Sequence, residues 1–325
     1  MEKTKVAIVG MGTVGTGVAR LLLDHGDRTA RHAGRTLWLE KAVVRDLKKD
    51  RHIDLPAGIL TDSVDDVLKD PDIKVVAHLV GGLEPARTIT LQLLEAGKDV
   101  VTANKALLAE HGGELFDRAR ALGRSIAFEA SVAGGIPIIS NISQCFSANQ
   151  ILSIRGILNG TSNYIVTQMD EQGAPYDSAL KRAQELGYAE ADPTMDVDGS
   201  DAAQKLAILA HLAFGARVHW KDIPRVGIDA LELADLQYAS QLGYRIVACD
   251  GSTYRTRFGT ACFSNTHSEG PAARGSSLVS TPPTVVDVVR DIFFHGQGQA
   301  DANGFGRRCR YDRYGSGSHC RLSAP

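Results

Sequence analysis

The sequence predicts an α/β protein: a doubly wound parallel sheet covered by helices, followed by a second, smaller α+β domain. Three observations carry this reading. From Lys5 to about Ala130, short β-branched runs alternate with amphipathic stretches, the rhythm of βαβ units. A glycine triplet stands between the first strand pattern and the first helix pattern. The length, 325 residues, exceeds what one domain of about 150 residues needs.

Strands are expected at Lys5–Val9, Leu37–Val44, Val75–Val80, Asp99–Thr102 and Ser125–Glu129. Helical patterns lie between them at Thr13–Leu23, Ser63–Lys69, Pro85–Ala96 and Leu107–Leu122, with Gly97 and Gly123 placed as helix stops. From about Gly134 the rhythm changes. Ile151–Leu158 reads as a strand, and Thr161–Met169, Tyr176–Leu186 and Asp201–Ala213 read as helices. No internal repeat or low-complexity linker interrupts the pattern.

Composition excludes several function classes. Hydrophobic residues make up 43% and charged residues 23%, and Lys+Arg 36 against Asp+Glu 38 leaves a formal charge of -2, so neither a nucleic-acid nor an anionic-membrane partner is expected. Apolar runs such as Ile136–Ile139 fall far short of the roughly 20 residues that span a bilayer. The first residues run directly from Lys5 into Val6-Ala-Ile-Val-Gly10 with no secretory leader pattern, so a cytoplasmic protein is expected. Cys145, Cys249, Cys262, Cys309 and Cys320 are odd in number and widely spaced, which supports neither a disulfide framework nor a zinc site.

Gly10-Met-Gly12-Thr13-Val14-Gly15 occupies the position where a G-x-G-x-x-G binds a dinucleotide in a Rossmann-type fold. Gly10 permits the tight turn, Gly12 lets a pyrophosphate approach the backbone, and Gly15 lets helix and strand pack closely, with the helix N-terminus facing the phosphates. A tight turn without a ligand would use the same residues. The second strand ends in Val44-Arg45-Asp46-Leu-Lys48-Lys49, which offers both an acid for a free ribose and cations for a 2′-phosphate; Arg45 with Lys48 or Lys49 tilts the expectation to NADP, with NAD open. The fourth strand runs into Val101-Thr102-Ala-Asn104-Lys105, at the sheet edge where ligands of such folds sit. Position alone leaves Lys105 either functional or merely solvated.

The stretch from Glu185 to Lys205 is the richest in chemistry. Asp201 and Lys205 stand four apart at a helix start and share a face, where the helix dipole favours the acid. Five acids, Glu190, Asp192, Asp196, Asp198 and Asp201, lie in a turn-rich loop suited to an ammonium group or to setting a lysine's protonation. A helix-stabilising ion pair accounts for the spacing equally well.

These residues carry a resemblance. The segment from Lys181 to Lys205, together with Val101-Thr-Ala-Asn-Lys105, Glu129-Ala-Ser-Val-Ala-Gly-Gly-Ile-Pro137 and Gly156-Ile-Leu-Asn-Gly-Thr-Ser-Asn-Tyr164, resembles homoserine dehydrogenase over residues 3 to about 247. The resemblance implies NAD(P)-dependent interconversion of L-homoserine and L-aspartate 4-semialdehyde, on the way to threonine, isoleucine and methionine. It implies Lys205 as acid/base lysine, Asp201 orienting it, and Lys105 as a second lysine near the reacting oxygen. Glu190 and Asp196 are implied to hold the substrate, with Gly187 at the boundary of cofactor and substrate. Gly10, Gly12, Thr13, Val14, Gly15, Arg45, Thr102 and Lys105 are the implied cofactor residues. A monovalent cation, usually sodium in the family, is implied at Glu129 and the carbonyls of Val132, Gly134 and Ile136. A homodimer through the second domain is also implied. The expected division is residues 1–133 for the cofactor, 134–249 for substrate, catalysis and dimerisation, and 250–325 as an aberrant, poorly ordered segment.

That last segment departs from the family. Its 76 residues hold nine arginines and no lysine, ten glycines and only two leucines, a composition that fills no core. Codons can be chosen for Asp301–Tyr314 that read one nucleotide on as Met-Pro-Thr-Ala-Ser-Ala-Val-Val-Ala-Asp-Thr-Ile-Asp, the start of the family's returning helix. The reading is a frame displaced after about Val247, with a partial return near Val285–Gly298. His78, where the family often has an acid, is a second departure. An aspartate-semialdehyde dehydrogenase would need a nucleophilic cysteine, and Cys145 has no evident activator nearby in sequence. A catalytically impaired NADP-binding remnant is the other alternative.

Overall fold

The computed structural model describes residues 2–242 and 245–248, and, as strand backbone, Cys249–Thr253, Arg257–Ala261, Val286–Ile292 and Arg307–Cys309. The chain divides into two units, Met1–Gly134 and Gly135–Pro325.

In chain order the first unit contains β1 (Lys3–Val9), α1 (Thr13–Asp24), α2 (Gly26–Ala33), β2 (Thr36–Val43), β3 (Leu60–Thr61), α3 (Asp65–Leu68), β4 (Ile73–His78), α4 (Ala86–Glu95), β5 (Asp99–Thr102), α5 (Lys105–Ala121) and β6 (Ile126–Ala127). The strand order is β3-β2-β1-β4-β5-β6, with every pairing parallel. This is the doubly wound order, and the chain reverses direction across the sheet between β1 and β4. One core buries Val9, Val76, Leu93, Leu94 and Val100 on one side of the sheet, and another buries Ile8, Ala19, Leu39, Ala42 and Ala77. Alternate residues of the second half of β1 thus serve opposite cores, which is why Val6–Val9 is apolar without interruption.

Two elements of this unit lie outside the sequence expectation. Helix α2 is polar, with a single buried residue, Ala30, so it lacks a strong apolar stripe. Strand β3 is two residues long and pairs only with Ala42 and Val43. The strand expected at Ser125–Glu129 is shorter, because Phe128 leaves the extended region (φ -143, ψ 29) and Glu129–Ser131 forms a 3-10 turn.

The second unit opens with α6 (Ile138–Ser140), continued by a π-helical turn at Asn141–Cys145, then β7 (Asn149–Gly156), α7 (Gly160–Gln172), α8 (Tyr176–Glu185), α9 (Thr194–Val197), α10 (Ser200–Phe214) and α11 (Leu233–Gln241). Strands β8 (Cys249–Thr253), β9 (Arg257–Ala261), β10 (Val286–Ile292) and β11 (Arg307–Cys309) complete an antiparallel sheet of order β11-β10-β7-β8-β9. Strand β10 lies within the stretch read above as a partial return to frame, and it pairs with β7 along its whole length. Most of the segment expected to be aberrant lies outside the described residues, as does all of Asp301–Tyr314 except Arg307–Cys309. Helix α10 is buried from Ser200 to Leu209 apart from partly exposed Lys205, so an i,i+4 charged pair on it sits in a nearly dry environment.

Candidate active site

In the first unit the three glycines differ as their roles require. Gly10 has φ +96, and a Cβ there would lie 3.0 Å from the Leu79 backbone, so the turn can approach the loop after β4 only without a side chain. A Cβ on Gly15 would fall 2.0 Å from the Gly10 carbonyl oxygen; helix and turn meet there directly. Gly12, by contrast, faces open space and precedes the first residue of α1. Thr13 and Val14 are exposed at that helix start. The result is a bare backbone at a helix N-terminus, suited to a phosphate.

The carboxyl ends of β4 and β5 are tied together at the same edge. Thr102 is buried and its hydroxyl accepts the Asn104 N–H. Asn104 caps α5 through the Leu107 N–H and donates its amide to the carbonyls of Val80 and Gly82. Helix α5 therefore begins at Lys105, two residues before the position expected from periodicity, because the cap is supplied by Asn104. Arg45, Lys48 and Lys49 are exposed beyond β2. Asp46 turns its carboxylate onto the Lys48 N–H, and Arg51 holds the Asp46 and Lys49 carbonyls, so the basic loop is internally braced.

His78 closes β4, fully buried between Val9 and Thr102 in register. Its Nδ1 lies 3.1 Å from the Thr90 hydroxyl. The same hydroxyl lies 2.9 Å from the Ala86 carbonyl of its own helix, so Thr90 bridges the ring and the main chain of α4, the ring tautomer setting the direction of the first bond. Nε2 meets no partner among the described residues. Burial lowers the imidazole pKa to about 4, and the ring is neutral at pH 7. His78 therefore anchors α4 to the sheet, a structural account of a residue for which the sequence suggested none.

In the second unit the acid-rich loop sorts into different jobs. Asp192 accepts both the N–H and the hydroxyl of Thr194, and the Thr194 hydroxyl foremost lowers its pKa. Asp198 likewise accepts the N–H and the hydroxyl of Ser200. These two acids build turns, which corrects the expectation of five acids facing one ligand. Glu190 is exposed. Gly187 takes φ +76 just after α8, a conformation that a side chain would strain.

Asp196 and Asp201 are drawn together. The Asn159 side-chain amide donates to Asp196 Oδ1 at 2.8 Å and to Asp201 Oδ2 at 2.9 Å. Lys205 Nζ donates to the same Asp201 oxygen at 2.6 Å and to the Leu158 carbonyl at 2.7 Å. The Asp201 side chain is 4% exposed and that of Lys205 17%, leaving the amine the more accessible partner. Asn159 N-caps α7 through the Ser162 N–H, the Ser162 hydroxyl donates to the Asp196 carbonyl, and the Thr161 hydroxyl donates to that of Tyr188. Sequence reasoning quoted Leu158, Asn159 and Ser162 within the Gly156–Tyr164 motif but gave them no role, although Asn159 stands as a cap residue after a strand; it extended that strand to Leu158, where the structure ends it at Gly156 to free this turn.

Chemically, this is a buried carboxylate carrying a partly exposed lysine on a rigid helix, beside a second carboxylate. The family model described as Homoserine dehydrogenase matches residues 137–301, about half of the chain. The chain belongs to the homoserine dehydrogenase family. The model described as Homoserine dehydrogenase, NAD binding domain, matches residues 10–129, the parallel sheet with its glycine turn. Homoserine dehydrogenase of Bacillus subtilis is 44% identical over 244 residues, covering 75% of this chain and 56% of that protein. That of Mycobacterium leprae is 40% identical over 307 residues, covering 91% and 68%. The crystal structure of a homoserine dehydrogenase from Thiobacillus denitrificans superposes with a TM-score of 0.80 at 39% identity, covering 97% of this chain and 70% of that one. The chain thus spans a little over half the length of the Bacillus subtilis protein, and of those of Synechocystis, Pseudomonas aeruginosa and Corynebacterium glutamicum that it also resembles. The family match runs on to residue 301, beyond residue 247 where the resemblance was expected to end, and takes in β8, β9 and β10.

Among the described residues no group of three or more His, Cys, Asp or Glu side chains could hold a metal ion. The cation expected at Glu129 calls instead on one carboxylate and carbonyls. Glu129 opens the 3-10 turn, Val132 is buried, and Gly134 and Ile136 stand either side of the division between units. Ala133, between Val132 and Gly134, has φ +51, an uncommon conformation for a residue with a side chain. Cys145 is an exposed free thiol at the end of the π-helical turn. Among the described residues no helix is long and apolar enough to cross a membrane.

Proposed function

We propose that this chain catalyses the NADP-dependent interconversion of L-homoserine and L-aspartate 4-semialdehyde, with NAD as the weaker cofactor. The observation that carries the proposal is the Lys205–Asp201 pair, 2.6 Å apart, within the segment matched by the family model. When bound, the nicotinamide supplies hydride acceptance or donation. The chain supplies charge and a proton. In the reducing direction Lys205 stabilises negative charge growing on the aldehyde oxygen and delivers the proton; in the reverse direction its neutral form removes the hydroxyl proton. Asp201 keeps the amine aimed, and Lys105 is the second lysine of the reaction. Glu190 holds the substrate ammonium, Asp196 assists it, and Gly187 lets the chain pass close to the ligand.

Gly10, Gly12, Thr13, Val14 and Gly15 hold the pyrophosphate, the open side of Gly12 supporting this, while Arg45 takes the 2′-phosphate and Thr102 and Lys105 border the nicotinamide. Sodium is assigned to Glu129 and the carbonyls of Val132, Gly134 and Ile136; a single carboxylate with backbone oxygens suits a hard monovalent ion, and the left-handed Ala133 supports a specialised backbone there. The active form is proposed to be a homodimer built through the second unit.

The test follows loss of NADPH absorbance with L-aspartate 4-semialdehyde, for this chain beside a version whose sequence after residue 247 is returned to the family frame. Turnover by both establishes the activity. Turnover only by the restored version leaves the site assignment standing and shows that the C-terminal sequence disables the chain. Turnover by neither removes the substrate assignment.

A further inference from the structure

We infer that Asn159 is a positioning residue that sets how firmly Asp201 holds the Lys205 amine, an inference that rests on the proposed role of Lys205. Asn159 is 5% exposed, and its polar atoms are used on both sides. The Oδ1 atom accepts the Ser162 N–H at 2.7 Å. A backbone N–H only donates and an ionised carboxylate only accepts, so the amide orientation is forced: oxygen toward the helix, NH2 toward Asp196 and Asp201. The two N–H bonds are divided, one to each carboxylate, at 2.8 and 2.9 Å.

Capping does not need this arrangement. Asp, Ser and Thr cap a helix as well as Asn does, and all do so with an oxygen alone. The amide hydrogens serve the carboxylates. They let a buried acid, Asp201, and a partly exposed one, Asp196, share one amide, and they stabilise the anionic form of the very oxygen that accepts from Lys205. An oxygen already receiving one hydrogen bond is a weaker base toward the next donor. Leu158 completes the device by giving its carbonyl to Lys205 Nζ, so two consecutive residues contact both members of the pair, one through the main chain and one through the side chain. Hydrogen bonds from Asn163 to the Asn159 carbonyl and from Ser162 to the Asp196 carbonyl hold the turn in place.

The discriminating variant is Asn159→Asp, which keeps the cap and replaces two donors by a third carboxylate. The readout is acetylation of Lys205 by acetic anhydride at one fixed pH, quantified by peptide mass spectrometry against exposed Lys181 in the same chain. Labelling of Lys205 relative to Lys181 should fall by about tenfold, the effect of roughly 1.4 kcal/mol of added ammonium stability. An unchanged ratio overturns the inference and leaves Asn159 a helix cap. Should Asn159→Asp not fold, Asn159→Ser replaces it: the cap stays, the paired amide donors go, and the same fall is expected, an unchanged ratio again being decisive against. Labelling does not depend on turnover. Lys205→Ala assayed for NADPH-dependent reduction judges the catalytic reading separately, so failure of either is recognised by itself.

Discussion

Lys205 Nζ lies 2.6 Å from Asp201 Oδ2, one helical turn away on α10, and 2.7 Å from the Leu158 carbonyl, which belongs to a turn 47 residues earlier. The lysine is thus held from its own helix and from the end of β7. Lys205→Ala should lower kcat by two or more orders of magnitude with little change in cofactor affinity, the usual worth of a positioned acid/base being about 100- to 10,000-fold. Steady-state kinetics with the semialdehyde and, separately, NADPH titration check this. Asp201→Ala should also melt at lower temperature, because it leaves the buried Asn159 amide and the amine each short of an acceptor, a loss on the order of 2 kcal/mol.

Glu190 is exposed, and unlike Asp192 and Asp198 it does not bond a Thr or Ser two residues on. Glu190→Ala should raise the homoserine KM by about tenfold or more while kcat changes less, since a charge-assisted hydrogen bond to an ammonium is worth roughly 1.5–3 kcal/mol. Equal falls in kcat and kcat/KM would place Glu190 in the chemical step instead.

Gly12 and Gly15 should separate binding from folding. Gly12→Ala faces open space at an ordinary φ of -79, so the melting temperature should hold while NADPH affinity falls, because the methyl group occupies the phosphate's approach. Gly15→Ala drives a Cβ to 2.0 Å from the Gly10 carbonyl oxygen and should lower both. Calorimetric titration with NADPH and thermal melts of the two variants give the comparison.

Arg45 is the exposed cation nearest the end of β2. Arg45→Ala should weaken NADPH binding by about tenfold or more and leave NADH binding nearly unchanged, since only the former presents a 2′-phosphate to a guanidinium. Parallel losses for both cofactors would remove the assignment of NADP preference.

His78 predicts a pH dependence of stability. Its folded pKa, about 4, lies below the ordinary 6.5, so between these values the unfolded chain binds the extra proton and stability falls as pH falls; above about 6.5 the contribution is complete. The interval of about 2.5 units corresponds to roughly 3 kcal/mol. Chemical denaturation at pH 7 and pH 5 should show His78→Gln losing less stability than the parent across that range.

Much of the site was legible in local sequence. Glycines at 10, 12 and 15, the Asp201–Lys205 spacing and the Val101–Lys105 strand end each depend on geometry fixed within a few residues, and the structure places each as expected. The assignment of the five loop acids to one ligand was less successful. Asp192 and Asp198 look identical in sequence to Asp196, and only the local turns commit them to Thr194 and Ser200. Helix α2 and strand β3 were illegible for a different reason: one has no apolar face, and the other exists only as a partner of β2.

By itself the sequence determined the elements whose period is local: the alternating parallel strands, the glycine turn opening α1, and an acid and a lysine on one face of α10, because helix pitch and strand alternation act over a handful of residues. Tertiary structure decided which groups share the buried space around Lys205. Asn159 reaches Asp196 and Asp201 across 37 and 42 residues, and Thr90 reaches His78 from another element. No local period encodes such meetings; they follow from burial, where a polar atom withdrawn from water must find its partner wherever the packed chain provides one.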